Sequence, residues 1–403
     1  MGEESESTNL VKNLLKVVQE LGEIEIDNVT LDVEQLELII QPIVSSIVSG
    51  ARPLPQLQAQ SSKQAQIQQL LEAKYATPLE QYPGRVVEVQ IGATRSEGGS
   101  RGSIVKIGGE RTMPFYSFEA ENPNRPAFAM DIFDMPLSLT KMVKMHYEDV
   151  MGDPAAWAKR CVEFGAEVVS LNLISTDPLL NDTSPQTAAK TVEQVLQAVD
   201  VPIIIGGSGN KQKDPIVLEA AAAAAAGERI LLNSANTDND HKRIVEAANK
   251  YGHSVVAFTP MDVNNAKKLN KTLLSEGLPK DHIVIDPTTA ALGYGIDYTI
   301  SIMERIKLAG LLGDEDLQMP VLAPASNAWG AREAWMKNED IGPRELRGPL
   351  WETITLLTAM LAGGDLFMIS HPATTRVAKG LVQDLLGNSA KGGVVDDWVT
   401  ALG

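Results

Sequence analysis

One pattern recurs eight times between residues 126 and 372: a short apolar run, a polar turn, then a helical stretch. The runs are AFAMDIFD (127–134), EVVSLNLI (167–174), VPIIIGG (201–207), RILLNSA (229–235), HSVVAFTP (253–260), HIVIDPTT (282–289), MPVLAPAS (319–326) and DLFMISHP (365–372). Near-continuous apolar strands are what a parallel sheet buried on both faces requires. The stretches between them open at DPAAW, SPQTA, DPIVL, NDHKR, DVNNA, DYTIS, GPREL and PATTR. Most of these begin with Asp, Asn, Ser or Gly, often with Pro at the first helical position, which is how helices start. Eight βα units joined by right-handed crossovers close into a (β/α)₈ barrel. The alternative, an open doubly wound sheet, normally has fewer strands, and no GxGxxG turn follows the first run.

The barrel is expected over 126–403, and two segments precede it. Residues 1–83 read as an N-terminal helical segment. Leu10, Leu14, Val17, Val18 and Leu21 share one face, and Leu31, Leu36, Leu38, Ile39 and Ile43 repeat the spacing. RPLP (52–55) breaks the chain, and the Gln-rich LQAQSSKQAQIQQLLEAKY that follows reads as a solvated or partner-binding helix. Residues 84–125 read as a small antiparallel β extension built from VVEVQIGATR, GSIVKIGGE and MPFYSF, with Gly98-Gly99 and Gly108-Gly109 at its turns. Such an extension would cover one end of the barrel.

Composition removes whole classes of function. The 35 Lys+Arg against 52 Asp+Glu leave a net charge of −17, which repels nucleic acid and anionic lipid surfaces. No apolar run is long enough to span a bilayer, and the acidic start MGEESESTNL is neither a secretory nor a transit signal. A single cysteine, Cys161, allows no internal disulfide and fits a reducing cytoplasm. One thiol cannot hold an iron–sulfur cluster either, so such a cluster would have to sit on a partner.

Barrel chemistry sits at the C-terminal ends of the strands. Those ends carry Asp131 and Asp134; Asn172, Ser175 and Asp177; Gly206, Gly207, Ser208, Gly209 and Asn210; Asn233, Ser234 and Asn236; Thr259; Asp286, Thr288 and Thr289; Ser326 and Asn327; Ser370 and His371. None of the eight runs carries the lysine of a Schiff-base aldolase. Asp131, Asp134, Asp286 and His371 lack metal-ligand spacing, and no metal site is expected. The turns after the seventh and eighth strands are not Gly-rich, which argues against a phosphate site there. The Gly-rich turn IIIGGSGN after the third strand is expected to bring backbone amides close to a ligand. A neutral rim of Ser, Thr and Asn suits a flat, amide-rich or heterocyclic ligand. Part of the list reads equally as helix caps. His146, His241, His253 and His282 read as turn or strand-start residues; His371, at the end of the eighth run with Pro372 opening the next helix, is the one candidate among the histidines, and a cap or surface role is the stronger reading for it.

Long runs at the strand ends carry a family resemblance. PFYSFEAENPNRPAFAMDIFDMP (114–136), VVSLNLISTDPLLNDTSP (168–185), PIIIGGSGNKQKDP (202–215), ERILLNSA (228–235), VIDPTTAALGYGIDYTISIMERIKLAGL (284–311) and PVLAPASNAWGAREAW (320–335) resemble the acetyl-CoA decarbonylase/synthase delta subunit, the small-subunit family of corrinoid iron–sulfur proteins. The resemblance spans nearly all of 85–390. It implies a cytoplasmic TIM barrel subunit paired as a heterodimer with a gamma subunit that carries the iron–sulfur cluster and the corrinoid, within a larger acetyl-CoA decarbonylase/synthase complex. The barrel would hold the partner's corrinoid during methyl transfer between a tetrahydrosarcinapterin or tetrahydromethanopterin and a nickel cluster, without catalytic residues of its own. The absence of a DxHxxG motif and the single Cys161 agree with borrowed cofactors. Residues 206–209, Asn233, Ser234, Asn236, Thr259, Asp286, Thr288, Thr289, Ser326 and Asn327 are expected to meet corrin side-chain amides. Two other readings stay open: a pterin-dependent corrinoid methyltransferase gripping its pterin with Asp131, Asn172 and Asp286, and a structural subunit that organises the complex.

Overall fold

A computed structural model of the chain describes residues 78–387. The helices expected over 9–21 and 31–48, the Gln-rich stretch and residues 388–403 lie outside the described residues.

The first two strands, β1 (Glu88–Ile91) and β2 (Val105–Gly108), form an antiparallel pair. The third run of the expected extension, MPFYSF, is not a strand. Pro114 has no N–H for a ladder, and the segment instead makes turns, with Tyr116 N–H bonded to Met113 O at 3.2 Å and Glu119 N–H to Tyr116 O at 3.0 Å. The turn after β2 depends on glycine. Gly108 has φ +79°, and a Cβ there would lie 2.2 Å from Val87 O.

Eight parallel strands follow, each inside one of the eight runs: β3 (Ala127–Phe133), β4 (Val168–Asn172), β5 (Ile203–Gly206), β6 (Leu231–Ala235), β7 (Ser254–Phe258), β8 (Ile283–Asp286), β9 (Leu322–Pro324) and β10 (Leu366–Ile369). Their order is β8-β7-β6-β5-β4-β3-β10-β9. A parallel bridge between Ile285 and Val321 joins the two ends, with Ile285 N–H bonded to Pro320 O at 2.8 Å, so the sheet closes on itself. The helices between and after the strands are α1 (Lys141–Lys144), α2 (Pro154–Glu163), α3 (Pro185–Ala198), α4 (Asp214–Ala224), α5 (His241–Tyr251), α6 (Val263–Ser275), α7 (Ile296–Leu311), α8 (Arg344–Leu361) and α9 (Pro372–Leu385). Asp153, Ser184, Asp240 and Asp262 cap α2, α3, α5 and α6 by accepting their first amides. None of the described helices is long and apolar enough to cross a membrane.

Side chains alternate along each strand. Phe128, Met130 and Ile132 face the helices, whereas Ala127 and Ala129 face the barrel interior with Val168, Ile204, Leu231, Val256, Val284, Leu322, Leu366 and Met368. Val89, Ile91 and Ile107 of the hairpin join that interior cluster. The hairpin therefore plugs the N-terminal end of the barrel and leaves the C-terminal end open.

Buried charge holds the plug in place. Arg101, beyond β1, donates to Glu228 Oε2 at 2.7 Å, Val199 O at 2.7 Å and Leu196 O at 2.8 Å, covering the last carbonyls of α3. Arg101→Ala is expected to lower stability by about 2–3 kcal/mol through the loss of charge-assisted bonds to buried carbonyls, measured as the midpoint of urea denaturation. On the other side of the plug, Lys307 of α7 lies 2.7 Å from Asp365 and 3.4 Å from Glu110. Asp365 also accepts the Val321 amide at 2.6 Å. Burial is the largest influence on both carboxyls. It drives Asp365 well above the usual range, while at Glu110 the Lys307 charge and the hydrogen bonds from Asp365, the backbone and Lys307 together outweigh it and hold that group low.

Candidate functional site

The interior parity of the strands sets the site. Continuing 127, 129 leads to Asp131 and Phe133, and the same parity leads to Asn172, Gly206, Asn233, Phe258, Asp286, Pro324 and Met368. Every one of these residues lines a cavity of about 840 Å³ at the open C-terminal end. All eight barrel strands thus contribute to its wall.

Of the residues expected from sequence to meet a ligand, Gly206, Gly207, Gly209, Asn233, Ser234, Asn236, Thr259, Asp286, Ser326 and Asn327 line the cavity. Ser208, Thr288 and Thr289 do not. The Ser208 amide and hydroxyl both donate to Asp214 at 2.9 Å, and the Gly209 amide donates to the same carboxylate at 2.8 Å. The Ser208 and Gly209 amides are therefore occupied by Asp214, and the Gly207 amide by Asn233 O at 3.1 Å, a correction to their expected role as ligand donors. The glycines are needed for this packing: a Cβ on Gly207 would lie 2.4 Å from the Asp214 carboxyl carbon. Thr288 has φ 72° and supports the wall from behind, its hydroxyl donating to Thr259 O at 3.0 Å and its amide to Asp286 Oδ1 at 2.9 Å. Thr289 is buried.

The rest of the strand-end list divides by chemistry. Asp134 accepts the amide and hydroxyl of Ser175, Asn210 accepts the amides of Gln212 and Lys213 ahead of α4, and Asp177 accepts the Leu179 amide. These are turn and cap roles. His371 caps α9 with its Nδ1, as the sequence suggests, and stands outside this cavity. Asp131, Asn172 and Asp286 converge on it. Three apolar wall residues, Phe258, Pro324 and Met368, escape a reading that looks only for polar groups, although period-two parity points to each of them. Lys211 and Lys268 also line the cavity, from a loop and from α6, and Lys211 is paired with Asp238 at 2.5 Å.

The cavity is richer in acceptors than in donors. The Asn172 amide nitrogen donates to Ile132 O at 3.3 Å, and that of Asn327 to Thr289 O at 2.9 Å. Their oxygens are left for a ligand. Asp131 Oδ1 and Thr259 Oγ1 are buried without a hydrogen-bond partner among the described residues. Burial pushes the Asp131 carboxyl up to about 6 despite the nearby Ser326, Ser170 and Asn172, and pushes Asp286 up to about 7. Buried polar atoms with no partner cost stability, so these groups mark where a ligand with N–H or O–H donors would be held. Among the described residues, no group of three His, Cys, Asp or Glu side chains is placed to hold a metal ion.

Around the mouth the loops expose large apolar side chains. Leu179 is 91% exposed and Leu180 54%, both after β4, and Tyr294 is 73% exposed after β8. An Asp182–Lys213 ion pair at 2.5 Å ties the Leu179 loop to the segment leading into α4.

These features define a (β/α)₈ barrel plugged at one end and open at the other onto a polar, acceptor-rich cavity with an apolar rim. Residues 88–340 match the family model described as CO dehydrogenase/acetyl-CoA synthase delta subunit, and the chain belongs to that family. It is 54% identical over 341 residues to the acetyl-CoA decarbonylase/synthase complex subunit delta of Archaeoglobus fulgidus, covering 82% of this chain and 75% of that one. It is 47% identical over 377 residues to the subunit delta of Methanocaldococcus jannaschii, covering 93% of this chain and 92% of that one. Among solved structures, a Xanthomonas albilineans dihydropteroate synthase aligns over 65% of this chain and 93% of its own length with a TM-score of 0.44 and 20% identity.

Proposed function

We propose that this chain works as the delta subunit of an acetyl-CoA decarbonylase/synthase assembly and that its open cavity seats a corrinoid carried by a gamma partner subunit. The observation that carries this reading is a wall rich in Asn, Ser and Thr with two buried oxygens, Asp131 Oδ1 and Thr259 Oγ1, that lack partners among the described residues. The periphery of a corrin bears primary amides, whose N–H groups fit such a wall. A corrin with its amide arms is larger than a cavity of about 840 Å³, so the mouth would cover one side and leave the other to the partner. Asn233, Asn327 and Thr259 would hydrogen-bond the amides. Phe258 and Met368 would exclude water. Leu179, Leu180 and Tyr294 would pack against the partner's surface. When bound, the corrinoid supplies the cobalt that accepts and donates the methyl group, and the barrel contributes placement and a low dielectric.

The test is corrinoid retention by the two-subunit complex. Asn233→Ala together with Asn327→Ala is expected to weaken retention by one to two orders of magnitude, since each lost polar contact in a dry site costs about 1–1.5 kcal/mol. Unchanged retention overturns the reading. The convergence of Asp131, Asn172 and Asp286 in the same cavity favours a second reading, in which the barrel binds the methyl-pterin itself. Saturable pterin binding by the chain without its partner would select that reading.

A further inference from the structure

We propose that a second cavity, between α1, α2 and α9, is a proton-coupled binding site for a small amphipathic carboxylate. It lies outside the barrel beside the end of β10 and has a volume of about 900 Å³, within the range of small-molecule sites. Met142, Met145, Phe164, Pro372 and Ala373 give it apolar walls, and His146 and His371 lie among them.

The two imidazoles meet Nε2 to Nε2 at 3.1 Å with their planes at 87°. His371 Nδ1 accepts the Ala373 amide at 3.2 Å as the cap of α9, so Nδ1 carries no proton and Nε2–H does. His371 is therefore the donor of the pair, and His146 accepts at Nε2 and carries its own proton on Nδ1. This arrangement leaves His371 Nε2 no lone pair for a metal. It also leaves no place for an added proton. On His146 Nε2 the proton would set two N–H groups head to head, and on His371 Nδ1 it would displace the Ala373 amide. Burial depresses both imidazoles accordingly, His371 to about 3 with further opposition from His146 and Arg376. A carboxylate entering between the rings changes this. Each oxygen accepts one Nε2–H, and the pair then holds the extra proton. Binding takes up one proton from solvent onto His146, and no covalent bond changes elsewhere.

The surrounding charges fit an anion with an apolar body. Lys141 of α1 lies on the lining, and close by in sequence Lys144 pairs with Glu148 and Asp149 with Arg160 of α2. Glu163 of α2 pairs with Arg160, and α9 supplies Arg376 and Lys379, the latter bonded to Gly165 O and Glu167. From α8 come Glu345, on the lining, and buried Glu352, which accepts the His371 amide at 3.0 Å. The lining itself holds Lys141, Arg376 and Lys379 against Glu163 and Glu345, an excess of one positive charge. Lys141 forms no side-chain ion pair among the described residues. The fourteen-residue α9 directs its N-terminus at the cavity, which adds partial positive charge.

Hexanoate is a suitable probe, titrated calorimetrically into the full chain at pH 7.5 and 6.5 in buffers of different ionisation enthalpy. About one proton should be taken up per hexanoate, with affinity roughly tenfold tighter at the lower pH. Inorganic phosphate, which cannot use the apolar wall, and hexanol, which cannot use the proton, should bind at least about tenfold more weakly. His146→Gln keeps an acceptor for His371 Nε2–H but cannot take the proton, so its hexanoate affinity should lose the pH dependence. Absence of hexanoate binding, pH-independent affinity, tighter binding of phosphate, or undiminished proton uptake by His146→Gln each overturns the proposal. Imidazole nitrogen spectra of the unsubstituted chain give a second check. Hexanoate should convert His146 to the imidazolium, and an unchanged His146 signal counts as refutation.

Discussion

Replacing Lys307 with methionine is expected to lower stability by about 3–5 kcal/mol at pH 8, the cost of leaving a buried charge without its partner. Methionine fills most of the lysine's volume, so the loss is electrostatic rather than a cavity effect. The ammonium lies 2.7 Å from Asp365 and 3.4 Å from Glu110, and all three groups are buried. Without it, two carboxyls face each other at low dielectric: Asp365, already raised, would rise further, and Glu110, now held low, would rise above its unfolded value. Carboxyls raised in the folded state destabilise it above their folded pKa, and the penalty fades as pH falls toward the unfolded pKa. The defect of Lys307→Met should therefore shrink at pH 5. Adding Asp365→Asn to Lys307→Met should recover part of it, because the Asn oxygen can still accept the Val321 amide and one carboxylate is gone. Urea denaturation of the single and double variants at pH 8 and 5 decides the matter. An equal loss at both pH values would mean that packing, not charge, explains the effect.

This triad also shows what the sequence conceals. Glu110, Lys307 and Asp365 are far apart in the chain, and nothing in their local context sets them apart from surface charges. Their meeting depends on how the hairpin seats beneath α7 and β10. The barrel strands are the opposite case. Their apolar runs, polar turns and Asp or Ser caps agree locally, so eight strands and their helices are legible one unit at a time. The site falls between these extremes. Strand-end position identifies Asn233, Thr259, Asp286 and Asn327, because fold alone places such ends around one mouth. Whether a turn residue faces the mouth or the scaffold depends on a partner elsewhere. Ser208 turns to Asp214 and Thr288 to the Thr259 carbonyl. The apolar wall was legible in principle, since period-two parity from Val256, Leu322 and Leu366 reaches Phe258, Pro324 and Met368. MPFYSF shows the limit of composition. Its aromatic residues suit a strand, but Pro114 and the left-handed Phe115, with φ 61°, turn it away from the hairpin. His146 joins His371 at the end of β10, a meeting of residues 225 positions apart that no local pattern signals.

Asp286→Asn is expected to make the folded chain more stable at pH 8, on the order of 3 kcal/mol, while weakening ligand binding in the cavity. Burial lifts this carboxyl from 3.8 to about 7. Between those values the folded chain holds the proton more tightly than the unfolded chain does, so stability falls as pH rises through the window. Above about 7 the full penalty of a buried carboxylate is present, and below about 3.8 it is gone. An amide carries no such penalty, and its oxygen can still accept the Thr288 amide that now bonds Oδ1 at 2.9 Å. The gain should therefore be largest at pH 8 and vanish near pH 4. Asp131→Asn should behave the same way with a smaller gain, since its carboxyl rises only to about 6. Two carboxyls kept at a cost to the fold, on facing strands and aimed into one cavity, indicate selection for what they hold rather than for stability. Opposite movement of stability and binding in these two variants would establish that. A lower stability of Asp286→Asn at pH 8 would instead show the carboxylate to be satisfied within the fold, and the cavity would lose its strongest claim to a ligand.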